Sequence, residues 1–170
     1  MDIKKITNIA ILFLINRLIE ISGIILSILS ILLLLSLFSY SPEDPNFIFS
    51  EGTEIKNLLG FQGSYISDIF FQSIGLISYL TAITFILTGL NIFLKKKISL
   101  FIESIFFTIS YSLFGSLFFN NFYNDNLTLY INGGGGFVGN FLNNSFFGNF
   151  INTYENIFFY SLIIIVIFLF

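Results

Sequence analysis

The chain contains no cysteine, no histidine and no tryptophan among its 170 residues. The first two absences remove thiol chemistry, the usual zinc ligands and the commonest general base at neutral pH. Charge is also scarce, because only 10% of the residues are charged and the net charge is -3, whereas about a quarter of the residues in soluble domains are charged. We therefore predict no catalytic residue, no cofactor and no metal site, and the composition disfavours a soluble enzyme or a nucleic-acid-binding domain.

Long apolar runs are what the chain has instead. Hydrophobic residues make up 55% of the sequence, and the mean hydropathy is +0.90. Residues 69–94 carry no charge, and none occurs between Glu103 and Asp125. About 20 apolar residues in a helix cross the hydrocarbon core of a bilayer. The sequence therefore predicts an all-α, multi-pass membrane protein.

Four transmembrane helices account for the apolar runs. We predict them at about residues 21–38, 72–94, 98–119 and 157–170. Pro42 and Pro45, with two carboxylates between them, end the first helix at the membrane surface. From Asn156 the fourth run is only about 22 Å long as a helix. We expect that span to continue beyond Phe170.

Basic residues predict the orientation of the four helices, because short loops that keep Lys and Arg stay in the cytoplasm. Lys95, Lys96 and Lys97 lie between the second and third spans, and Lys4, Lys5 and Arg17 precede the first. We therefore place both termini in the cytoplasm, with the acidic 41–68 loop and the 120–155 loop outside. The lysine triplet is explained by topology alone, and contact with anionic lipid is the alternative.

Two segments are predicted to lie along the membrane surface. Residues 1–20 form an interfacial helix in which Arg17 and Glu20 pair on one face. The outer loop contains an amphipathic helix, because its apolar residues recur at helical spacing: Leu58, Leu59, Tyr65, Ile66, Ile69 and Phe70. Small residues in the first two spans mark faces where helices pack: Ser22, Gly23, Ser27, Ser30, Gly75, Ser78, Ala82 and Gly89.

Two features invite a more specific chemical interpretation. Four glycines, Gly133, Gly134, Gly135 and Gly136, suggest a phosphate loop, but Phe137 stands where that motif requires lysine. A flexible or re-entrant backbone turn on the outer face is favoured. Glu103 is the only carboxylate inside a predicted span, so it either lines an ion path or reaches the nearby cytoplasmic surface. We favour the surface role, and keep a small four-helix channel or transporter subunit as the alternative function.

The chain resembles the four-helix membrane domain at the N-terminus of the FtsK/SpoIIIE DNA translocases. The resemblance begins at Glu20 and Gly23 and covers about residues 17–170. It is strongest where the first span leaves the membrane, with the third and fourth spans similar in hydropathy. The matching motif residues are Tyr40, Pro42, Asp44 and Pro45, then Asn57, Gly60, Gly63 and Asp68, with Gly133 to Gly136 in the outer loop.

The resemblance implies a membrane anchor that holds a cytoplasmic, hexameric DNA motor at the division septum and supports cell division and chromosome segregation. Its partners would be the lipid bilayer, other division-site membrane proteins and further copies of itself. The family's ATP-binding and DNA-reading parts lie far downstream of this region. DNA would therefore be reached only through a motor domain that these residues do not contain.

Overall fold

The computed structural model describes residues 3–45, 54–123, 132–145, 148, 151 and 153–170, with side chains from residue 8 onward. These residues form helices and no strand. In chain order the helices are α1 (Ile3–Phe38), α2 (Gly60–Ile74), α3 (Ser78–Lys95), α4 (Ser99–Phe122), α5 (Gly136–Asn143) and α6 (Glu155–Leu169). A 3-10 turn, Gly75–Ile77, separates α2 from α3.

Three stretches of the described chain are long and apolar enough to cross a membrane. They are Asn8–Phe38, Gly60–Lys95 and Ser99–Phe122. The apolar helix α6 is shorter, with 15 residues. The architecture is therefore all-helical in its described part, with three clear spans and a shorter apolar helix, which is consistent with a domain of four spans.

The first helix begins well before the predicted start at residue 21. Helix α1 is unbroken over 36 residues and includes the segment that we predicted as an interfacial helix leading into the first span. Neither glycine nor proline occurs before Gly23, and Arg17 donates a hydrogen bond to Glu20, so both charges are accommodated on the helix surface. The end of the first span was predicted at residue 38, and α1 stops at Phe38, ahead of Pro42.

The second span is divided by the turn at Gly75–Ile77, whereas the prediction had it begin at Gln72 without a break. The predicted amphipathic helix exists as α2, but Leu58 and Leu59 precede it. Its apolar residues Ile66 and Ile69 are exposed, whereas Ser64, Ser67 and Asp68 are buried. In a bilayer this is the favourable arrangement, since lipid accepts apolar side chains and buried polar groups find partners inside the protein.

Helices α1 and α3 pack antiparallel along a seam of small residues. A Cβ at Gly23 would lie 2.6 Å from the carbonyl oxygen of Gly89, so the two backbones approach closely. Ser27 is buried in the same seam, and its hydroxyl donates to the carbonyl of Ile86 at 3.2 Å. Small residues allow this approach in membranes, where no hydrophobic force drives helices together. The predicted packing faces of the first two spans are confirmed at these positions.

The remaining helices pack around α4, which runs from Ser99 to Phe122, close to the predicted 98–119. Helix α6 starts at Glu155, two residues before the predicted position, and lies against α4. The C-terminal part of α4 meets α6 through Leu117, Phe118 and Leu162, and the rings of Phe118 and Phe159 lie 5.4 Å apart. The short helix α5 packs on α4 and α2, so the stretch after the glycines is folded back onto the bundle.

Two contacts mark the ends of the α1/α3 pair. At one end Lys96 reaches Glu20, with Nζ 2.9 Å from Oε1. At the other, the Tyr79 hydroxyl donates to the carbonyl of Leu37 at 3.1 Å. The 18 residues of α3 rise about 27 Å, close to the thickness of a hydrocarbon core. The distance between the two ends of the pair, marked by Glu20–Lys96 and by Leu37–Tyr79, is therefore close to the thickness of the hydrocarbon core of one bilayer.

Candidate functional site

A buried polar network lies where α1 leaves the bilayer, and Asp44 is its first element. Asp44 follows the turn at Pro42 and is only 1% exposed. Its two carboxylate oxygens accept the backbone N–H groups of Lys56 and Asn57, each at 2.9 Å. Charged acceptors make the stronger hydrogen bonds of folded proteins. Asp44 therefore ties the turn after α1 to the residues that lead into α2.

Asn57 joins the same turn to both helices. Its Nδ2 donates to the carbonyl of Ser36 at 2.9 Å, and its Oδ1 accepts the N–H of Leu59 at 3.0 Å. The Ser36 hydroxyl donates to the carbonyl of Gly63 at 2.6 Å. A Cβ at Gly63 would overlap the Asn57 amide. Only glycine fits there, so Asn57 and Gly63 form one interlocked contact between α1 and α2.

Tyr40 and Asp68 make a second tie between these segments. The Tyr40 hydroxyl donates to Asp68 Oδ1 at 3.0 Å, and Asp68 is buried. Burial, followed by the nearby negative charge of Asp68, raises the pKa of Tyr40 well above its usual value. The hydroxyl therefore stays protonated and remains a donor. The Tyr40 ring also packs on Phe71, with the ring centroids 4.7 Å apart.

The two motif prolines occupy different environments. Pro45 is buried, and its carbonyl accepts the hydroxyl of Ser64 on α2 at 2.7 Å. Pro42 lies in the turn and is partly exposed. Next to it, Glu43 is exposed and pairs with Lys56, which lowers the pKa of Glu43 and raises that of Lys56. The prolines thus shape the turn, while the hydrogen bonds come from their neighbours.

The glycine run closes the break between α2 and α3. Gly75 has φ 66° and Gly136 has φ 63°, in the region that favours glycine. The N–H of Leu76 donates to the carbonyl of Gly134 at 2.9 Å, and a Cβ at Gly75 would overlap that carbonyl. The Ser116 hydroxyl on α4 donates to the carbonyl of Ile74 at 2.9 Å. Backbone groups released by the helix break are therefore satisfied by the glycine run and by α4.

Side chains extend the connection between the glycine run and α2. The Asn132 amide donates to the backbone carbonyl of Gln72 and to its side-chain oxygen, each at 3.2 Å. Asn140 on α5 donates to the carbonyl of Asn132 at 3.0 Å. Gly136 is the first residue of α5. The glycine run thus forms a backbone turn, and it continues into a short helix that the sequence interpretation did not include.

The motif residues named from sequence lie in two adjoining groups. Tyr40, Asp44, Pro45, Asn57, Gly63 and Asp68 belong to the network between α1 and α2, and Gly133 to Gly136 belong to the closure of the helix break. Gly60, with φ 64°, begins α2 and has open space around it. The sequence interpretation missed Ser36, Ser64, Ser67 and Gln72, because isolated polar residues in apolar stretches carry no spacing signal.

The basic residues named for topology are divided along α1. Lys4 and Lys5 lie in its first turn, about 18 Å along the axis from Arg17. Arg17 and Lys96 meet at Glu20, which is 8% exposed and binds both. Lys95 ends α3, and Lys97 follows Lys96 in the turn to α4. The predicted Arg17–Glu20 pair is confirmed, and its extension to Lys96 was not foreseen.

Glu103 is exposed and lines a cavity of about 270 Å³ between α3 and α4. Thr84, Asn91 and Ser104 contribute polar groups to the same cavity. No hydrogen bond or ion pair joins Glu103 to another residue of the described chain. Across those residues no group of three or more acidic side chains could hold a metal ion. The cavity is therefore lined partly by polar groups, and the Glu103 carboxylate takes no part in the hydrogen-bonded networks described above.

Apolar helices that pack through small residues, together with a satisfied polar network at one end, define a multi-pass α-helical membrane domain. Residues 16–170 match the model of a family described as the 4TM region of DNA translocase FtsK/SpoIIIE. The match includes almost the whole chain, so this protein belongs to that family. The resemblance inferred from the motif residues is confirmed, and the chain is a multi-pass protein of the bacterial inner membrane.

Two curated proteins named DNA translocase FtsK are similar to the chain. The one from Azospirillum brasilense is 32% identical over 88 residues, which are 51% of this chain and 14% of that protein. The one from Rickettsia prowazekii (strain Madrid E) is 30% identical over 95 residues, 54% of this chain and 13% of that protein. The chain thus spans a small part of these relatives. No solved structure matches it.

Proposed function

We propose that this domain is the membrane anchor of an FtsK-like DNA translocase and directs it to the division septum. The observation that carries the proposal is the family match over residues 16–170, together with the network that contains Asp44 and Asn57. All the hydrogen bonds described for this network are internal to the chain. Such bonds fix a shape, so the function that suits the network is to present a defined outer surface to septal membrane proteins.

In the proposed arrangement both termini are cytoplasmic, and the lysine turn lies on the same side as the motor domain of the whole translocase. The domain itself does no catalysis. It associates with further copies of itself and with division-site membrane proteins, and it contacts DNA only through the motor. Anchoring in this form requires a fixed position in the bilayer, which the α1/α3 pair supports because its two ends are held by Glu20–Lys96 and Leu37–Tyr79.

Fluorescence microscopy of dividing bacteria tests the targeting. The chain of residues 1–170, tagged at its N-terminus, should gather at mid-cell. Asp44→Ala, or Pro42→Ala combined with Pro45→Ala, should leave insertion intact but abolish that enrichment. The first opens the buried network, and the proline pair lets α1 run on. Glu43→Ala, at an exposed neighbour, is the matched control and should still gather. An even distribution of the unaltered chain around the envelope would contradict the proposal.

A small channel or transporter subunit is the second candidate, favoured by the cavity that Glu103, Thr84 and Asn91 line. Intramembrane carboxylates often mark ion paths. Proton and cation flux into liposomes separates the two functions. An anchor should give no flux above that of empty liposomes, with or without Glu103→Gln. A leak that the substitution removes would support the channel instead.

A further inference from the structure

An apolar groove opens between α1 and the start of α4. It has a volume of about 290 Å³, and its walls include Ser22, Ile25 and Leu29 from α1, Ile92 from α3, Ile98 from the turn before α4, and Phe101 from α4. From Ser22 to Leu29 it follows α1 for about 10 Å. The groove therefore extends from the α3–α4 turn toward the middle of the bilayer.

The mouth of this groove is basic. Ile98, which lines it, directly follows the lysine turn Lys95–Lys97. Glu20 binds both Lys96 and Arg17, so one carboxylate faces two cations. Lys95 and Lys97 are exposed, and neither pairs with an acidic group of the described chain. Glu103, the nearest acidic residue along α4, lines the separate cavity against α3. A net positive charge therefore remains where the groove opens.

We propose that the groove and the lysine turn together bind an anionic phospholipid of the adjacent leaflet. One acyl chain lies in the groove, and the phosphate contacts Lys95 and Lys97. The apolar groove suits the acyl chain of such a lipid, and the unpaired ammonium groups at its mouth suit the negatively charged phosphate. A zwitterionic lipid fills the groove equally well but brings no net charge to the lysines. Each lysine near an anionic headgroup strengthens binding about fivefold.

The dimensions of the groove favour a lipid chain over a second protein helix. An α-helix with its side chains is about 10 Å across, so only some of its side chains, and not its backbone, would enter a groove of about 290 Å³. A single acyl chain is much narrower. Lipid binding here rests on membrane embedding alone and does not depend on septal targeting.

Native mass spectrometry of the purified chain tests the lipid site. The chain is reconstituted in nanodiscs of mixed phosphatidylglycerol and phosphatidylcholine, and the lipids that it retains on release are counted by class. Phosphatidylglycerol should be retained preferentially. Lys95→Gln or Lys97→Gln should each reduce its retention about fivefold, whereas Lys56→Gln, at an exposed lysine beyond the other end of α1, should not. Equal retention of the two lipids, or an unchanged Lys97→Gln, would overturn the proposal.

A second pair of variants tests the groove itself. Ile25 and Ile28 are 51% and 52% exposed on α1, and only Ile25 lines the groove. Ile25→Phe should fill the groove and lower retention of both lipids, while Ile28→Phe should behave as the native chain. Both side chains are exposed, so thermal unfolding should be unchanged. Dimer masses that disappear in Ile25→Phe would assign the groove to a second copy and overturn the lipid site.

Discussion

Lys96 and Glu20 are far apart in the sequence, yet Nζ of the lysine lies 2.9 Å from Oε1 of the glutamate. Lys96 directly follows α3 and has the left-handed conformation, with φ 56°. Glycine adopts that conformation more easily and is the common residue after a helix. The lysine therefore occupies a strained position from which it reaches α1. The ion pair links the turn between two spans to the helix that precedes both.

Replacing either Glu20 or Lys96 should destabilise the domain. Replacing both should lower its stability by less than the sum of the two single losses. Glu20→Gln leaves the positive charges of Arg17 and Lys96 without a negative partner, whereas Lys96→Gln leaves Glu20 paired with Arg17 alone. We therefore expect the larger loss of thermal stability for Glu20→Gln. Unfolding in detergent of the two single variants and the double variant measures the coupling. Glu103→Gln is the control, and strictly additive effects would show that the contact contributes nothing.

Asp44→Ala should lower the free energy of unfolding by ~3 kcal/mol, because two backbone N–H groups, of which that of Asn57 is buried, lose a charged acceptor. Asp44→Asn keeps one acceptor oxygen and should lose less. Glu43→Ala removes the neighbouring carboxylate, which is exposed, and should have little effect. Denaturant titration in mixed micelles gives the three values. Equal stability of Asp44→Ala and Glu43→Ala would contradict the importance of the network.

Two glycines with nearly the same backbone conformation should respond very differently to alanine. Gly60 has φ 64° and open space around it, so Gly60→Ala should cost only the left-handed strain of ~1–2 kcal/mol. Gly75 has φ 66°, but a Cβ there would overlap the carbonyl of Gly134. Gly75→Ala should therefore separate the outer loop from the helix break and unfold at a markedly lower temperature. Comparable losses in the two variants would rule out the close contact.

Accessibility of single cysteines tests the predicted topology, and the native chain supplies a background without cysteine. Ser50→Cys and Asn124→Cys fall outside the described residues and are predicted to face outward. An impermeant reagent should label both in intact spheroplasts. Cysteine at Lys97 should react only after the membrane is opened, because the lysine turn is predicted to be cytoplasmic. Protection of both outer sites would reverse the orientation.

Hydropathy and charge predicted the apolar helices themselves. They did not predict those helix boundaries that depend on contacts inside the protein. The 24-residue helix α4 begins within one residue of its predicted start, because the lysine turn ends the apolar run before it. The first span was predicted to begin at residue 21, with Arg17 and Glu20 in an interfacial helix that leads into it. In the structure both residues belong to one continuous helix, and Glu20 is buried where it meets Lys96.

The candidate site shows the same division. Family-typical residues such as Asp44 and Asn57 could be named from sequence, but their roles could not, because each role depends on a backbone atom of another segment. Ser36 is a further example: a serine in an apolar helix gives no sign that it will bind the carbonyl of Gly63. The break at Gly75 was also missed, since a lone glycine in an apolar run predicts helix packing as readily as a turn.

The bond between Leu76 and Gly134 joins one main-chain atom to another. Its strength is therefore nearly independent of the side chain at position 76, and truncating Leu76 to alanine would leave it intact. A conventional alanine scan would therefore pass over this connection between the break in the second span and the glycine run. Replacing the Leu76 amide with an ester by chemical synthesis removes the donor alone, and is the substitution that would reveal how firmly the two segments are joined.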